Sequence, residues 1–289
     1  MTKAEKNRLL MTHIDMSEEE YRAAPGVNKS TLWLLNSSPK HYRYGLEHPA
    51  EDTPALKLGR AVHEGVLRPE EFVKHYTQGI AVDRRTKDGK AAWEAFLRES
   101  GDKTVLNADE METVVGISSA IWGSVERNEL GNKYAIGLLD EALTEVPLFW
   151  TDGNGVACKC RLDAIRVTDD RIIVVDLKTT GDARKRMFKR SGLKYGYHVQ
   201  AAHYIDGVRT VLGDDLPIEW WFIAVEKKAP YAMNVIRAGN SYIDRGVLER
   251  NELMEKLIRC AETDTWDDYG CSVMELEDYE MLPDDDDDE

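Results

Sequence analysis

The sequence predicts an α/β domain of the α+β kind: a mixed β-sheet flanked by helices, entered through a helical N-terminal part. Three observations carry this. Up to about residue 140 the apolar side chains recur at helical spacing, whereas five runs between Leu143 and Ile236 are short and rich in Val, Ile and aromatic residues. A helical stretch interrupts those runs after the third, and a long periodic stretch follows the fifth. Helices, then β-β-β-α-β-β, then a helix pack as one sheet with helices on its faces.

Residues 1–27 read as a polar lead-in that closes in a turn at Ala24-Pro25-Gly26. Ser30 to Leu35 reads as a short helix, capped at Asn28 or Ser30 and broken by Ser37-Ser38-Pro39. Ala55 to Leu67 places Leu58, Val62 and Val66 on one helical face, and helices also fit Lys90 to Arg98 and Asp109 to Arg127. The strands run Leu143 to Trp150, Val156 to Val167, Arg171 to Lys178, Pro217 to Val225 and Tyr231 to Ile236. Tyr197 to Leu212 and Ile243 to Cys260 complete the pattern as helices. Residues 28–263 therefore form one domain, helical to about 140 and sheet-based from about 141, with an acidic, flexible tail over 264–289.

The chain has 289 residues, enough to bury a core, and its 42% hydrophobic and 31% charged content is that of a soluble globular protein. No apolar run approaches a membrane span, and no apolar stretch follows the charged start, so a cytoplasmic protein without a membrane partner is expected. A net charge of −15, six of it from Asp284 to Glu289, argues against indiscriminate coating of nucleic acid. Cys158, Cys160, Cys260 and Cys271 match neither a disulfide framework nor the usual zinc spacing, and they read as reduced thiols.

The chemistry concentrates in two strands. Asp163 lies in Cys158-Lys-Cys-Arg-Leu-Asp163, and Asp176-Leu177-Lys178 closes the next run after a polar Thr168-Asp-Asp turn. A hairpin brings the two carboxylates together, and period two puts Asp176 and Lys178 on one face. Such carboxylates, with the Leu177 carbonyl, suit one or two Mg²⁺ ions, with Mn²⁺ as a substitute; the lysine lies beside the water that the ion activates. This is the active-site pattern of the PD-(D/E)XK nucleases. Asp-x-Lys alone is a common match, repeated at Asp88-Gly-Lys90 and as Glu226-Lys-Lys228, and a solvated hairpin with surface charges is the competing reading. Only Lys178 leads into Thr179-Thr180-Gly181 and a helix carrying Gln200 and Tyr204.

Other residues could join. His63, one turn after Gly59, suits a metal ligand or a phosphate contact, and equally a packed histidine. Glu141 and Glu145 straddle the start of the first strand, and Glu145, the more central, is the candidate to add a carboxylate to the metal shell, a surface glutamate being the competing reading. Gln200 and Tyr204 share a helical face that suits contacts to phosphate or base, or plain packing. Lys29, Ser30 and Arg60 suit a terminal phosphate. Arg161, on the face of Asp163, joins the candidate DNA contacts, as do Arg184 and Lys185 in the basic run ending at Arg190.

With these residues assembled, the chain resembles the C-terminal nuclease domain of the exonuclease VIII (RecE) family of phages and prophages. The likeness rests on Ser30-Thr-Leu-Trp-Leu-Leu-x-Ser-Ser-Pro39-x-x-Tyr42, Leu58-Gly-Arg-Ala-Val-His63-Glu-Gly-Val-Leu-Arg-Pro69, Cys158-Lys-Cys-Arg-x-Asp163, Val175-Asp-Leu-Lys-Thr-Thr180 and Gly196-Tyr-x-x-Gln200-Ala-Ala-x-Tyr204. It implies an Mg²⁺-dependent exonuclease in a bacterial host that degrades linear double-stranded DNA from the 5′ end. The remaining 3′ strand passes to a RecT-type annealing protein, and the enzyme forms an oligomeric ring around DNA. By motif match His63, Asp163, Asp176 and Lys178 are the catalytic set, with Gln200 and Tyr204 supporting. An endonuclease, a non-catalytic DNA-binding scaffold and an enzyme acting on a small phosphorylated molecule are the alternatives.

Overall fold

The computed structural model describes residues 1–49, 52–123 and 130–273. The N-terminal part runs through α1 (Lys3–Leu10), α2 (Glu18–Ala23), α3 (Lys29–Leu34), α4 (Pro39–Glu47), α5 (Pro54–Leu67) and α6 (Pro69–His75). A two-stranded parallel ribbon, β1 (Tyr76–Gln78) with β2 (Thr104–Leu106), brackets α7 (Lys87–Ser100) and precedes α8 (Ala108–Trp122) and α9 (Leu130–Leu139). The main sheet holds β3 (Leu143–Thr151), β4 (Ala157–Val167), β5 (Ile172–Thr180), β6 (Ile218–Glu226) and β7 (Met233–Arg237), side by side in that order. Within this sheet only β5 and β6 pair in parallel, and α10 (Lys185–Lys194) and α11 (Tyr197–Leu212) make the crossover that a parallel pair requires. The chain then enters α12 (Asn240–Thr263).

Each sheet face buries its own apolar cluster. On one face Leu148, Leu162, Val174 and Trp220 meet Val199, Ile205 and Val208 of α11, with α3 and α12 behind. On the other, Ala164, Ile173, Val175 and Ile223 meet Val62 and Val66 of α5 and Val114 and Ile117 of α8. Of the N-terminal helices, α5 and α8 cover this second face, whereas α1, α3 and α4 pack into the cluster on the first. Helix α11 lies between the sheet and α12 so closely that a Cβ at Gly246 would sit 2.1 Å from the His198 carbonyl oxygen.

The N-terminal and C-terminal expectations need correction. Residues 1–27 are no mere lead-in: Thr2 with Glu5, and Ser17 with Glu20, form capping boxes that start α1 and α2. Lys6 of α1 is fully buried because its ammonium binds the Leu212 carbonyl at the end of α11 and Asp215 Oδ1. Of the tail, the Trp266 ring stacks on Tyr42 at 5.6 Å and Lys40 pairs with Asp268, so residues 264–268 are docked. Residues 274–289 lie outside the described residues, as do residues 124–127 of the helix expected to reach Arg127. Asp88 and Lys90 of the other Asp-x-Lys match stand in the first turn of α7.

A buried polar cluster joins α11 to α12. Trp150 Nε1 and Arg250 Nη2 donate to Asp206 Oδ2, at 2.9 and 2.8 Å. Arg250 Nε donates to His203 Nδ1 at 3.3 Å, which leaves the His203 Nε2–H to donate to the Val27 carbonyl at 3.2 Å. A neutral imidazole satisfies both contacts, and a protonated one leaves a second N–H facing a guanidinium. Burial, reinforced by Arg250, pulls His203 from 6.5 down to about 4. The unfolded chain binds that proton first, so this contribution to stability is complete above pH 6.5 and is lost as pH falls through 4. The loss is about 3 kcal/mol. His203→Gln keeps one donor and one acceptor, and is expected to flatten that limb of the Tm–pH curve; an unchanged limb would assign it to other groups.

Candidate active site

The ladder between β4 and β5 covers only Ala164 to Val167 against Ile172 to Val175. The two strands then part, and Asp163 and Asp176 are the first residues beyond the last rung. Carboxylates directly opposite one another repel, so the fork is a consequence of sequence. Asp163 bridges it by accepting the Leu177 N–H through Oδ2 at 2.8 Å. In a strand the N–H and C=O of one residue point to the same side, so the Leu177 carbonyl also faces the opened edge.

Glu145 stands opposite Asp163, between the pairs Thr144–Ala164 and Val146–Leu162. Both strands change phase at this rung, since Leu143 and Val146, like Leu162 and Ile165, all join the same core. Glu145 has φ 53°, a conformation that costs a non-glycine residue energy and is commonest where function holds it. The kink turns its carboxylate toward Asp163 and toward His63 of α5. Donor atoms of His63, Glu145 and Asp163 all lie within 4.8 Å of one another, the group among the described residues able to hold a metal ion. Glu141 is exposed in the turn before β3 and takes no part.

Asp176 lies outside that trio, 2% exposed, with Gln200 Nε2 donating to its Oδ1 and the Lys178 ammonium 2.7 Å from its Oδ2. Oδ2 receives no hydrogen bond of good geometry, so a buried carboxylate oxygen is left for a cation. Lys178 also lies over the Tyr197 ring, 5.0 Å from its centre.

The two aspartates are electrostatically unequal. Burial raises Asp176 to about 6, only partly opposed by Lys178. Burial raises Asp163 too, but His63, Lys178 and the Leu177 amide together hold it below the ordinary range. Burial opposes charge on Lys178 and His63, yet the aspartates beside them keep both above their usual values. Burial raises Glu145 against the pull of Arg161. Two carboxylates of different proton affinity beside an ammonium and an imidazole are a set that a hard divalent cation would reorganise. The residues fit such an ion: His63, Glu145, Asp163 and Asp176 would hold it.

The outer candidates divide. Lys29 is brought to the site: its ammonium binds the Tyr195 carbonyl, and burial followed by the charge of Lys178 lowers it to about 8. Ser30 is exposed beside it. Gln200, expected on DNA, instead uses its amide on Asp176, and Tyr204 is half-buried with its ring edge-on to Trp220. Arg161 is held between Glu145 and Glu18, and Arg60 pairs with Asp52. Arg184 pairs with Asp182, whereas Lys185 is exposed at the start of α10. Glu226 serves structure, its Oε1 accepting the Ala183 N–H at 3.0 Å. All four cysteines are free, and burial pushes the Cys158 thiol up to about 12. Sequence reasoning passed over Glu18 and Tyr21 beside Arg161; the Ser17-x-x-Glu20 capping signal could have placed both on a helix.

A sheet forked around Asp163 and Asp176-x-Lys178, with a histidine helix on one face, defines a PD-(D/E)XK-type nuclease fold. Residues 29–278 match the family described as PDDEXK-like domain of unknown function (DUF3799), and the chain belongs to that family. A solved structure described as a "putative exonuclease" from Eubacterium rectale is similar over 91% of this chain and 95% of its own, with TM-score 0.59 and 16% identity. The crystal structure of SSO0001 aligns over 86% of this chain and 85% of its own at 15% identity, with a TM-score of 0.31 that bears no weight. No curated protein matches the chain. Among the described residues no helix is long and apolar enough to cross a membrane.

Proposed function

We propose that the protein is an Mg²⁺-dependent exodeoxyribonuclease that degrades linear double-stranded DNA from the 5′ end and leaves a 3′ overhang. The observation that carries this reading is the convergence of His63, Glu145 and Asp163 at the fork where the buried Asp176 and its partner Lys178 also lie. End-dependence is supported by the resemblance to the exonuclease VIII family and by the description of the Eubacterium rectale protein as an exonuclease, and polarity by the family resemblance alone. A RecT-type annealing partner, a ring-shaped oligomer and a bacterial cytoplasmic setting belong to the same proposal.

A bound divalent cation lowers the pKa of a coordinated water and takes up charge on the reacting phosphate. Lys178, held as an ammonium, orients that water or the phosphate by donating hydrogen bonds. Gln200 fixes the rotation of Asp176, and Leu177 that of Asp163. Lys185, Arg186, Lys189 and Arg190 are exposed along α10, directly after the active-site strand, and offer the DNA backbone a basic track on an otherwise acidic chain.

The test is digestion of linear 5′-phosphorylated duplex beside the same plasmid as a closed circle, with Mg²⁺, Mn²⁺ or EDTA. Loss of the linear DNA alone, dependent on metal, is the expected result. Cutting of the circle would make the protein an endonuclease, and no cutting of either would remove the catalytic reading.

A further inference from the structure

Helix α2 precedes residues 29–278, the part that the family model describes, yet it reaches the metal-binding trio through a single guanidinium. Arg161 Nε lies 2.8 Å from Glu145 Oε2, and its Nη1 pairs with Glu18 Oε2 of α2. The guanidinium lies over the Tyr21 ring, 5.3 Å from its centre. Two residues earlier on the same face of β4, the buried Lys159 ammonium donates to the carbonyls of Tyr21, Arg22 and Ala24, which closes the C-terminal end of α2. Glu18 is fixed through its other oxygen as well, accepting Arg22 Nε at 2.6 Å. Both ends of α2 are therefore bound to β4 by cations that lead directly to Asp163.

An arginine against a ligand carboxylate has two opposed effects. It orients the carboxylate, here by engaging Oε2 and leaving Oε1 for a cation, and it repels that cation. A second carboxylate on the far side of the guanidinium cancels the repulsion and keeps the orientation. We propose that Glu18 is a positioning residue of the metal centre, neutralising Arg161 so that Arg161 holds Glu145 ready for the cation without opposing its entry. This rests on the metal-dependent reading of the site given above. It makes α2 a working part of the centre and gives the N-terminal segment a role in metal affinity.

Calorimetric titration of the full chain with Mn²⁺, without DNA, tests it. Glu18→Gln is expected to weaken Mn²⁺ binding about tenfold, as loss of an outer-shell partner does. It should raise the metal concentration for half-maximal cleavage, with the rate restored at saturating metal. Glu19→Gln removes the same charge from the same helix at an exposed position away from Arg161, and should shift affinity less than about twofold because solvent screens it. In an Arg161→Met background, Glu18→Gln should add nothing. Equal shifts in Glu18→Gln and Glu19→Gln, or no shift in Glu18→Gln, would overturn the proposal while wild-type metal binding and cleavage stood. Absence of Mn²⁺ binding by the wild type would overturn it together with the metal-dependent reading.

Discussion

Asp176→Asn is expected to slow cleavage of linear duplex DNA by at least about a hundredfold while leaving the circular dichroism spectrum unchanged. Asparagine keeps an acceptor for Gln200 and the volume of the buried side chain, so the packing around β5 survives. It removes a carboxylate whose Oδ2 is buried without a well-formed hydrogen bond, and with it a negative charge facing the cation. Lys178 then has Asp163 as its remaining acidic neighbour. A paired time course and Mn²⁺ titration read the effect on rate and on affinity together. A wild-type rate in the folded variant would exclude Asp176 from the site.

Lys178→Met should lose rate by about a hundredfold or more without weakening metal binding. The methionine retains an apolar stem against the Tyr197 ring, so the substitution isolates the charge. The ammonium 2.7 Å from Asp176 Oδ2 competes with a cation for that oxygen, and its removal should leave Mn²⁺ affinity equal or tighter. The neighbouring aspartates hold Lys178 above its ordinary value, which favours an ammonium that donates to the water or the phosphate. A variant that loses metal affinity and keeps its rate would make Lys178 a support of the carboxylates alone.

Much of this architecture was legible in the chain. The five strands between Leu143 and Ile236 and the helix Tyr197–Leu212 fall where alternation and helical period place them, because these patterns are local. The helices α1 and α2 were not, although Thr2-x-x-Glu5 and Ser17-x-x-Glu20 announce them, because their polar faces gain partners only in the fold. Lys6 shows why: a lysine is fully buried here because the end of α11 lies 206 positions away in sequence and beside it in space.

The site divides in the same way. Asp163, Asp176 and Lys178 are readable because a hairpin and a two-residue period relate them without reference to the remaining chain. His63 and Glu145 are ambiguous in sequence, and become a donor set with Asp163 only when α5 packs on the sheet and β3 kinks at φ 53°. The sequence alone determined the succession of strands and helices along the chain, the acidic pair and its lysine, since each is encoded over a few residues. Tertiary structure alone decided which polar groups are spent on protein partners, as with Arg161, Arg60 and Gln200, and which remain open to a ligand. Pairing depends on distances between segments far apart in the chain, and no local pattern records them.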